Sequence, residues 1–245
     1  MISPEEVHAR FEQDGYVVLP GFLPIDQMQA LNAEIQKHYH PVLERLGALK
    51  PGETRKATDG WENFEQFETD VIPWHPCEEG NAAFQTLKED SRLEAVTRAC
   101  LGENFTAPVS MVMLATAGGK GQAWHQDCPP EDARQFNLNR LFYTEDVHKD
   151  DGAIVVVPGS HRQGRIPPGG NQEPIEGEVF LTPTAGPLVL LSGHVYHRVT
   201  PNLSGKPRLS VNFRAFAEGI SPDVCSVGVY RGGAFDFTSG KVVAR

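Results

Sequence analysis

Cysteine is scarce in this chain, with four in 245 residues, and no two of them form a Cys-x-x-Cys pair. Cys77, Cys100, Cys128 and Cys225 are too scattered for a disulfide framework, so reduced thiols are expected. Positive charge is also short: 22 Lys and Arg face 32 Asp and Glu, a formal net charge of -10. That balance argues against nucleic acid and anionic membrane surfaces as partners, since both select a basic face. No stretch reaches the roughly 18 apolar residues that a membrane span requires. The opening Met1-Ile2-Ser3-Pro4-Glu5-Glu6 lacks a basic and then apolar leader, and the closing Val242-Val243-Ala244-Arg245 is not an address of the Ser-Lys-Leu type. A cytoplasmic location is the expectation. A linker-like boundary is missing too, so residues 1–245 are expected to form a single domain, as β-barrels of this length commonly do.

What is present is a helical start followed by many short alternating runs. Ser3, with Pro4 after it and Glu6 three residues on, reads as a capping box for a first helix whose buried side carries Val7 and Phe11. A strand is expected at Tyr16 to Leu19. Met28, Leu31, Ile35, Tyr39 and Leu43 then repeat at helical spacing between about Pro24 and Leu46. A further helix is expected from Glu89 to Leu101, stopped by Gly102 in a left-handed cap. Beyond it, turn residues and brief alternating segments have the signature of a sandwich or jelly roll. The segment from about 47 to 80 fits neither pattern. Its Arg55, Trp61 and Trp74, among Gly, Pro and Thr, suggest a lid over substrate; the plainer reading is that its aromatics anchor the loop to the barrel.

The chemistry concentrates in His125-Gln126-Asp127, His197 and Arg208. Residues two apart in a strand project to one face, so His125 and Asp127 offer an imidazole and a carboxylate to one point. Two histidines and one carboxylate on one face of an octahedron leave three positions open, the arrangement of non-heme Fe(II) oxygenases, whereas zinc favours a closed tetrahedral site. A His-x-Asp triplet also arises easily by chance among nine histidines, and His148-Lys149-Asp150 is a second one. That triplet precedes Asp151-Gly152, which reads as a hairpin turn, so His148 and Asp150 are expected in solvent. His38 and His40 are set aside because residues two apart on a helix diverge. Cys128 is expected to point off the ligand face.

The run Gly186 to Gly193 reads as a buried strand, and Pro207-Arg208-Leu209-Ser210-Val211-Asn212-Phe213 as an alternating one. The turn Pro201-Asn202-Leu203-Ser204-Gly205 is expected to lay His197 and Arg208 on neighbouring strands. A buried guanidinium is costly without an anion, and the far carboxylate of 2-oxoglutarate suits it, with Ser210 facing the same way as a further donor. His194 competes with His197 as the third ligand, but three residues apart in an extended segment only one of them enters the cavity.

Four motifs in order resemble the phytanoyl-CoA dioxygenase family of Fe(II)/2-oxoglutarate-dependent oxygenases. They are Phe11 to Phe22, His125-Gln126-Asp127, Asp151 to Arg162, and His197 eleven residues before Arg208. The resemblance covers about residue 8 to 216. It implies a mainly β fold with flanking helices, a double-stranded β-helix or cupin-like jelly roll, with Fe(II), 2-oxoglutarate and O2 as cofactors and co-substrates. It assigns His125, Asp127 and His197 to iron, Arg208 and Ser210 to 2-oxoglutarate, and a structural role to His161. The Pro-Asn-x-Ser pattern after His197 and its spacing to Arg208 favour His197 over His194. Two departures stand out: Leu141-Phe142-Tyr143 replaces a frequent tryptophan, and Val199 replaces a frequent small hydroxyl residue.

The expected reaction is hydroxylation of an unactivated carbon of a small-molecule metabolite, releasing succinate and CO2. Asp127 fills the position that related halogenases leave for chloride, which disfavours halogenation. The acidic balance makes an acyl-CoA substrate less expected, although Arg162 to Arg165 form a local basic cluster. Arg55, Trp61, Trp74 and the stretch from Gln172 to Phe180 are the candidate substrate-selecting positions. The alternatives are a metal-binding jelly roll without oxygenase activity, as a degenerate family member or a cupin-like isomerase, and an apolar ligand carrier.

Overall fold

Alternating side chains decide which face of each strand is buried, and two faced sheets result. The computed structural model describes residues 2–47, 71–74, 82–115, 117–128, 130–134, 136–166, 172–220, 229–230, 233–236 and 241–244. Its elements run in the order α1 (Pro4–Asp14), β1 (Tyr16–Leu19), α2 (Ile25–Gly47), β2 (Val71–Trp74), α3 (Ala82–Lys88), α4 (Ser91–Leu101), β3 (Phe105–Ala115), β4 (Gln122–His125), β5 (Asn137–Phe142), β6 (Ile154–Val156), β7 (Val179–Leu181), β8 (Leu188–Ser192), β9 (His197–Val199), β10 (Arg208–Ala217), β11 (Val229–Tyr230), β12 (Gly233–Asp236) and β13 (Lys241–Ala244).

The larger sheet has the order β1-β8-β5-β10-β3-β2 and the smaller β4-β9-β6-β7. Every pairing in them is antiparallel. From β3 to β10 the chain changes sheet at each connection except the β6–β7 hairpin, which is the winding of a double-stranded β-helix. The jelly roll expected from the sequence is therefore the fold. A separate three-stranded meander joins β11, β12 and β13.

Period-two burial builds the layers. Leu141, Tyr143, Val189 and Leu191 of the large sheet meet Ile154, Val156, Leu181 and Val199 of the small one in the sandwich interior. On the opposite face of the large sheet, Leu138, Phe142, Leu188, Leu190, Val211 and Phe213 are covered by Val7 and Phe11 of α1, Leu31 and Ile35 of α2, Phe84 of α3 and Leu93 of α4. Burying such side chains contributes about 1.5–3 kcal/mol each, which outweighs the modest propensities of these short strands.

The first helix forms as the capping box directs: Ser3 Oγ accepts from Glu6 N at 3.3 Å, and Glu6 Oε2 accepts from Ser3 N at 3.0 Å. The helix expected over 89–101 forms as α4, starting two residues later at Ser91, and a shorter α3 that the sequence reading did not anticipate precedes it. The Asp90 carboxylate accepts from Arg92 N at 2.8 Å and starts α4 afresh, while α3 ends at Lys88. Gly102 has φ 90 with ψ -176, a positive-φ stop with extended ψ in place of the expected left-handed cap. Part of the expected lid is a strand, since Val71–Trp74 pairs along the edge of β3. Pro73 is tolerated there because an edge strand has one side without ladder partners.

Two turn expectations are corrected. The segment after His197 is not a hairpin, because β9 and β10 belong to opposite sheets. Asp151-Gly152 likewise joins no hairpin: β5 and β6 lie in different sheets, and Asp151 closes a local turn by accepting from His148 N at 2.6 Å through Oδ2. His148 and Asp150 are exposed, as expected of that triplet.

Candidate metal centre

Antiparallel register places His125 of β4 directly opposite His197 of β9. The two rings lie 4.2 Å apart between centroids. Asp127, two residues past His125, turns its Oδ1 to within 3.4 Å of His125 Nε2 and 3.9 Å of His197 Nε2. One ligand atom from each of the three lies within 4.8 Å of the others, and all three residues are buried. They form the one such group of His, Cys, Asp and Glu among the described residues.

The remaining polar atoms of the trio are committed elsewhere. His125 Nδ1 lies 2.8 Å from Ala123 O, and His197 Nδ1 lies 2.8 Å from Val195 O. A carbonyl only accepts, so each Nδ1 carries the proton and each Nε2 presents its lone pair to the shared centre. Burial, and next the neighbouring His125, push His197 down to about 4, against the upward pull of Asp127. Burial raises the Asp127 carboxyl, but the Arg214 guanidinium opposes it, and the group is held well below the ordinary carboxylate range. Two neutral imidazoles and an ionised carboxylate are the donor set that a divalent first-row metal takes.

Asp127 Oδ2 faces away from the imidazoles into a nest of donors that the sequence reading missed. It accepts from Asn139 Nδ2 at 2.8 Å, Arg214 Nη2 at 3.2 Å and Asn137 Nδ2 at 3.3 Å. Asn139 Oδ1 in turn accepts from Asn212 Nδ2 at 2.8 Å and Arg214 Nε at 3.1 Å. The signal was an inward polar row on β10: Arg208, Ser210, Asn212 and Arg214 alternate with Leu209, Val211, Phe213 and Ala215.

Arg208, 6 % exposed, opens that row. Its Nε and Nη2 donate to Gly152 O at 3.2 and 2.8 Å, and its Nη1 donates to Ser210 Oγ at 2.8 Å. The guanidinium lies 5.8 Å from the centre of the Tyr143 ring, in the segment where the frequent tryptophan is replaced. Among the described residues no carboxylate pairs with it. Burial lowers its affinity for its proton, with Tyr143 and Asp151 opposing. Arg208 and His197 thus reach the same interior from opposite sheets.

The other candidates sort out by strand face. Gln126 donates to His194 O at 2.9 Å and Gly164 O at 3.1 Å, bracing the loop between the ligands. His194 packs its ring against Phe136 at 5.6 Å. His161 reaches Glu12 O at 3.2 Å. Cys128 is buried, with Sγ 2.8 Å from Asn137 Oδ1. Within the stretch from Gln172 to Phe180, Val179 pairs with the inward-facing Val156 of β6, while Phe180 turns outward. Trp124 and Arg198 point to the outer face of the small sheet, where Gln172 Oε1 and Glu178 hold Arg198 and Phe180 packs beside Trp124. Arg55 and Trp61 lie outside the described residues, and of Trp74 the backbone alone is described, in β2.

A jelly roll with this donor set belongs to the Fe(II)/2-oxoglutarate-dependent dioxygenases, and the sequence comparisons agree. Residues 11–210 match the family model Phytanoyl-CoA dioxygenase (PhyH), and the chain belongs to that family. It is 25% identical to "Dioxygenase hkm4" of Aspergillus hancockii over 91% of this chain and 72% of that protein. Two solved structures share the fold. The non-heme alpha ketoglutarate dependent epimerase SnoN from nogalamycin biosynthesis has a TM-score of 0.61 at 21% identity, covering 93% of this chain and 83% of that one. HygX from Streptomyces hygroscopicus, with nickel and 2-oxoglutarate bound, has a TM-score of 0.61 at 18% identity, covering 89% and 88%.

Proposed function

We propose that His125, Asp127 and His197 hold Fe(II), that Arg208, set by Ser210, receives the distal carboxylate of 2-oxoglutarate, and that the product is a hydroxylated small molecule. The observation that carries this reading is the convergence of two Nε2 atoms and Oδ1 at one buried point, with every other polar atom of the trio engaged. With O2 as the oxidant, Fe(II) and 2-oxoglutarate held there would supply oxidative decarboxylation, one oxygen atom going to succinate as CO2 leaves and the other to the C–H bond that becomes C–OH.

The chain's own part is orientation and exclusion of water. Ala123 O and Val195 O fix the imidazole tautomers. Gly152 O and Ser210 Oγ fix the fork of Arg208, so little rotamer freedom remains to be lost when an anion docks. Leu141, Val156, Leu191 and Val199 wall the interior with hydrocarbon, which strengthens charge pairing inside.

A small metabolite as substrate accords with the acidic chain, and SnoN offers a precedent for natural-product chemistry on this fold. SnoN is an epimerase, so inversion at a carbon centre is the second outcome open to the same residues. The reading keeps residues 1–245 as a single domain, with Arg55, Trp61 and Trp74 as substrate contacts. It also keeps a cytoplasmic setting. In support, no helix among the described residues is long and apolar enough to cross a membrane, and Cys100 and Cys128 are free thiols.

The test is succinate formation from 2-oxoglutarate under air with Fe(II), first without substrate and then across a panel of small metabolites. Slow release that a panel member accelerates, and that His197→Ala abolishes while His194→Ala retains it, is the expected result. Equal release by His197→Ala and the unaltered protein would overturn the assignment.

A further inference from the structure

The two oxygens of Asp127 live in different surroundings. Oδ1 faces both imidazoles, whereas Oδ2 takes three N–H donors within 3.3 Å, from Asn139, Arg214 and Asn137. A carboxylate oxygen has two lone pairs, so three donors saturate it. Arg214 is 6 % exposed and its pairing with Asp127 is buried, which makes the bond strong and its loss costly. Asn139 is held between Asn212 and Arg214, so the donors form a closed ring with little freedom to shift.

We propose that Arg214, acting with Asn139, is a positioning residue that restricts Asp127 to one metal bond through Oδ1, and so reserves the neighbouring coordination position for the co-substrate. This rests on the metal reading given above. If Oδ2 were free, a carboxylate that takes the metal with both oxygens would occupy one of the three positions which two histidines and one carboxylate oxygen otherwise leave open. Arg214 touches neither metal nor substrate; it acts through Asp127. Arg214 closes the polar row of β10, and its contact with Asp127 is set by the tertiary structure.

The experiment uses cobalt(II) as an oxygen-stable spectroscopic probe in the full-length protein, comparing the unaltered chain with Arg214→Met, Arg214→Lys and Asn139→Leu. Cobalt is titrated first, with visible absorption reporting its coordination number, and 2-oxoglutarate second, with its affinity for the cobalt-loaded protein corrected for the chelate it forms with free metal. In Arg214→Met the absorption intensity of the cobalt form is expected to change and 2-oxoglutarate binding to weaken on the order of ten-fold or more, with Arg214→Lys restoring most of both. A purely structural role would lower the melting temperature and leave spectrum and co-substrate affinity as they were; that result overturns the proposal. Should Arg214→Met not fold, Asn139→Leu removes the shortest donor to Oδ2 and is judged by the same two readouts. If the unaltered protein binds no cobalt, the metal reading itself fails. Cobalt bound normally with Arg214→Met indistinguishable sinks the clamp alone.

Discussion

Arg208 and Arg214 stand on the same face of β10, six residues apart, and of the two it is Arg214 that meets a carboxylate, that of Asp127. At about 3.3 Å per residue their backbone positions lie roughly 20 Å apart along the strand. One buried cation is neutralised within the chain. The other is set by Gly152 and Ser210 in a site that suits an incoming anion.

That contrast predicts the behaviour of Arg208→Met. Loss of a bidentate charge-assisted pair, at about 1.5–3 kcal/mol per bond, should weaken 2-oxoglutarate binding by roughly a hundred-fold or more, with metal binding little changed. Arg208→Lys should recover only part, because an ammonium cannot reproduce the fork. Isothermal titration of 2-oxoglutarate into nickel-loaded protein measures both. Equal affinity in Arg208→Met and the unaltered chain would place the co-substrate elsewhere.

Asp127→Ala should cost more than metal. It leaves Arg214 buried without its carboxylate, a loss of about 3–5 kcal/mol in comparable buried pairs. Urea unfolding of the metal-free proteins gives the stability difference, and metal analysis should find the variant empty. His125→Ala, which strands no charge, should abolish metal binding with a smaller stability loss.

The metal-free protein should lose stability as pH falls from about 6.5 towards about 4, in part through His197. Its folded form stays neutral down to about 4, whereas the unfolded chain takes up a proton near the usual 6.5. The unfolded state therefore binds more protons across that window, and stability falls with pH there. Each pH unit within the window costs about 1.4 kcal/mol. Replacing His197 with Asn should flatten that part of the stability profile measured by urea denaturation; an unchanged slope would contradict the burial argument.

Gly193→Ala tests the wall behind the site. A methyl group there would come within 2.3 Å of Asn137 Oδ1 and 2.9 Å of Cys128 Sγ, both in tight contact with each other and close to Asp127. Overpacking of this kind costs about 1–3 kcal/mol, and displacement of Asn137 should weaken metal binding as well. Thermal unfolding with and without nickel separates the two effects. Unchanged values in both would mean that the contact relaxes freely.

Much of the architecture was legible because local chemistry and fold agree. Ser3 and Glu6 announced α1, and the alternation of Arg208 to Phe213 announced β10, since capping bonds and period-two burial are written in adjacent residues. The His125-x-Asp127 spacing was readable for the same reason. The short α3 was less so, because its seven residues carry little local signal, and burial of Phe84 and Leu87 in the core holds them helical. The error over the β9–β10 turn has a related cause. Turn residues mark where a chain bends, but nothing in them tells whether the next strand pairs with its predecessor or crosses to the facing sheet.

By itself the sequence determined the donor types, their order and their strand faces: two imidazoles, one carboxylate, and a guanidinium eleven residues after the second histidine. Tertiary structure alone decided that His125 pairs opposite His197, that Arg208 arrives from the other sheet, and that Asn137, Asn139 and Arg214 close on the second oxygen of Asp127. The physical reason is range. Strand alternation and capping act over two to four residues, whereas register between strands joins residues as much as 175 positions apart and the buried Asp127–Arg214 pair spans 87, and burial of the apolar faces as a whole selects them.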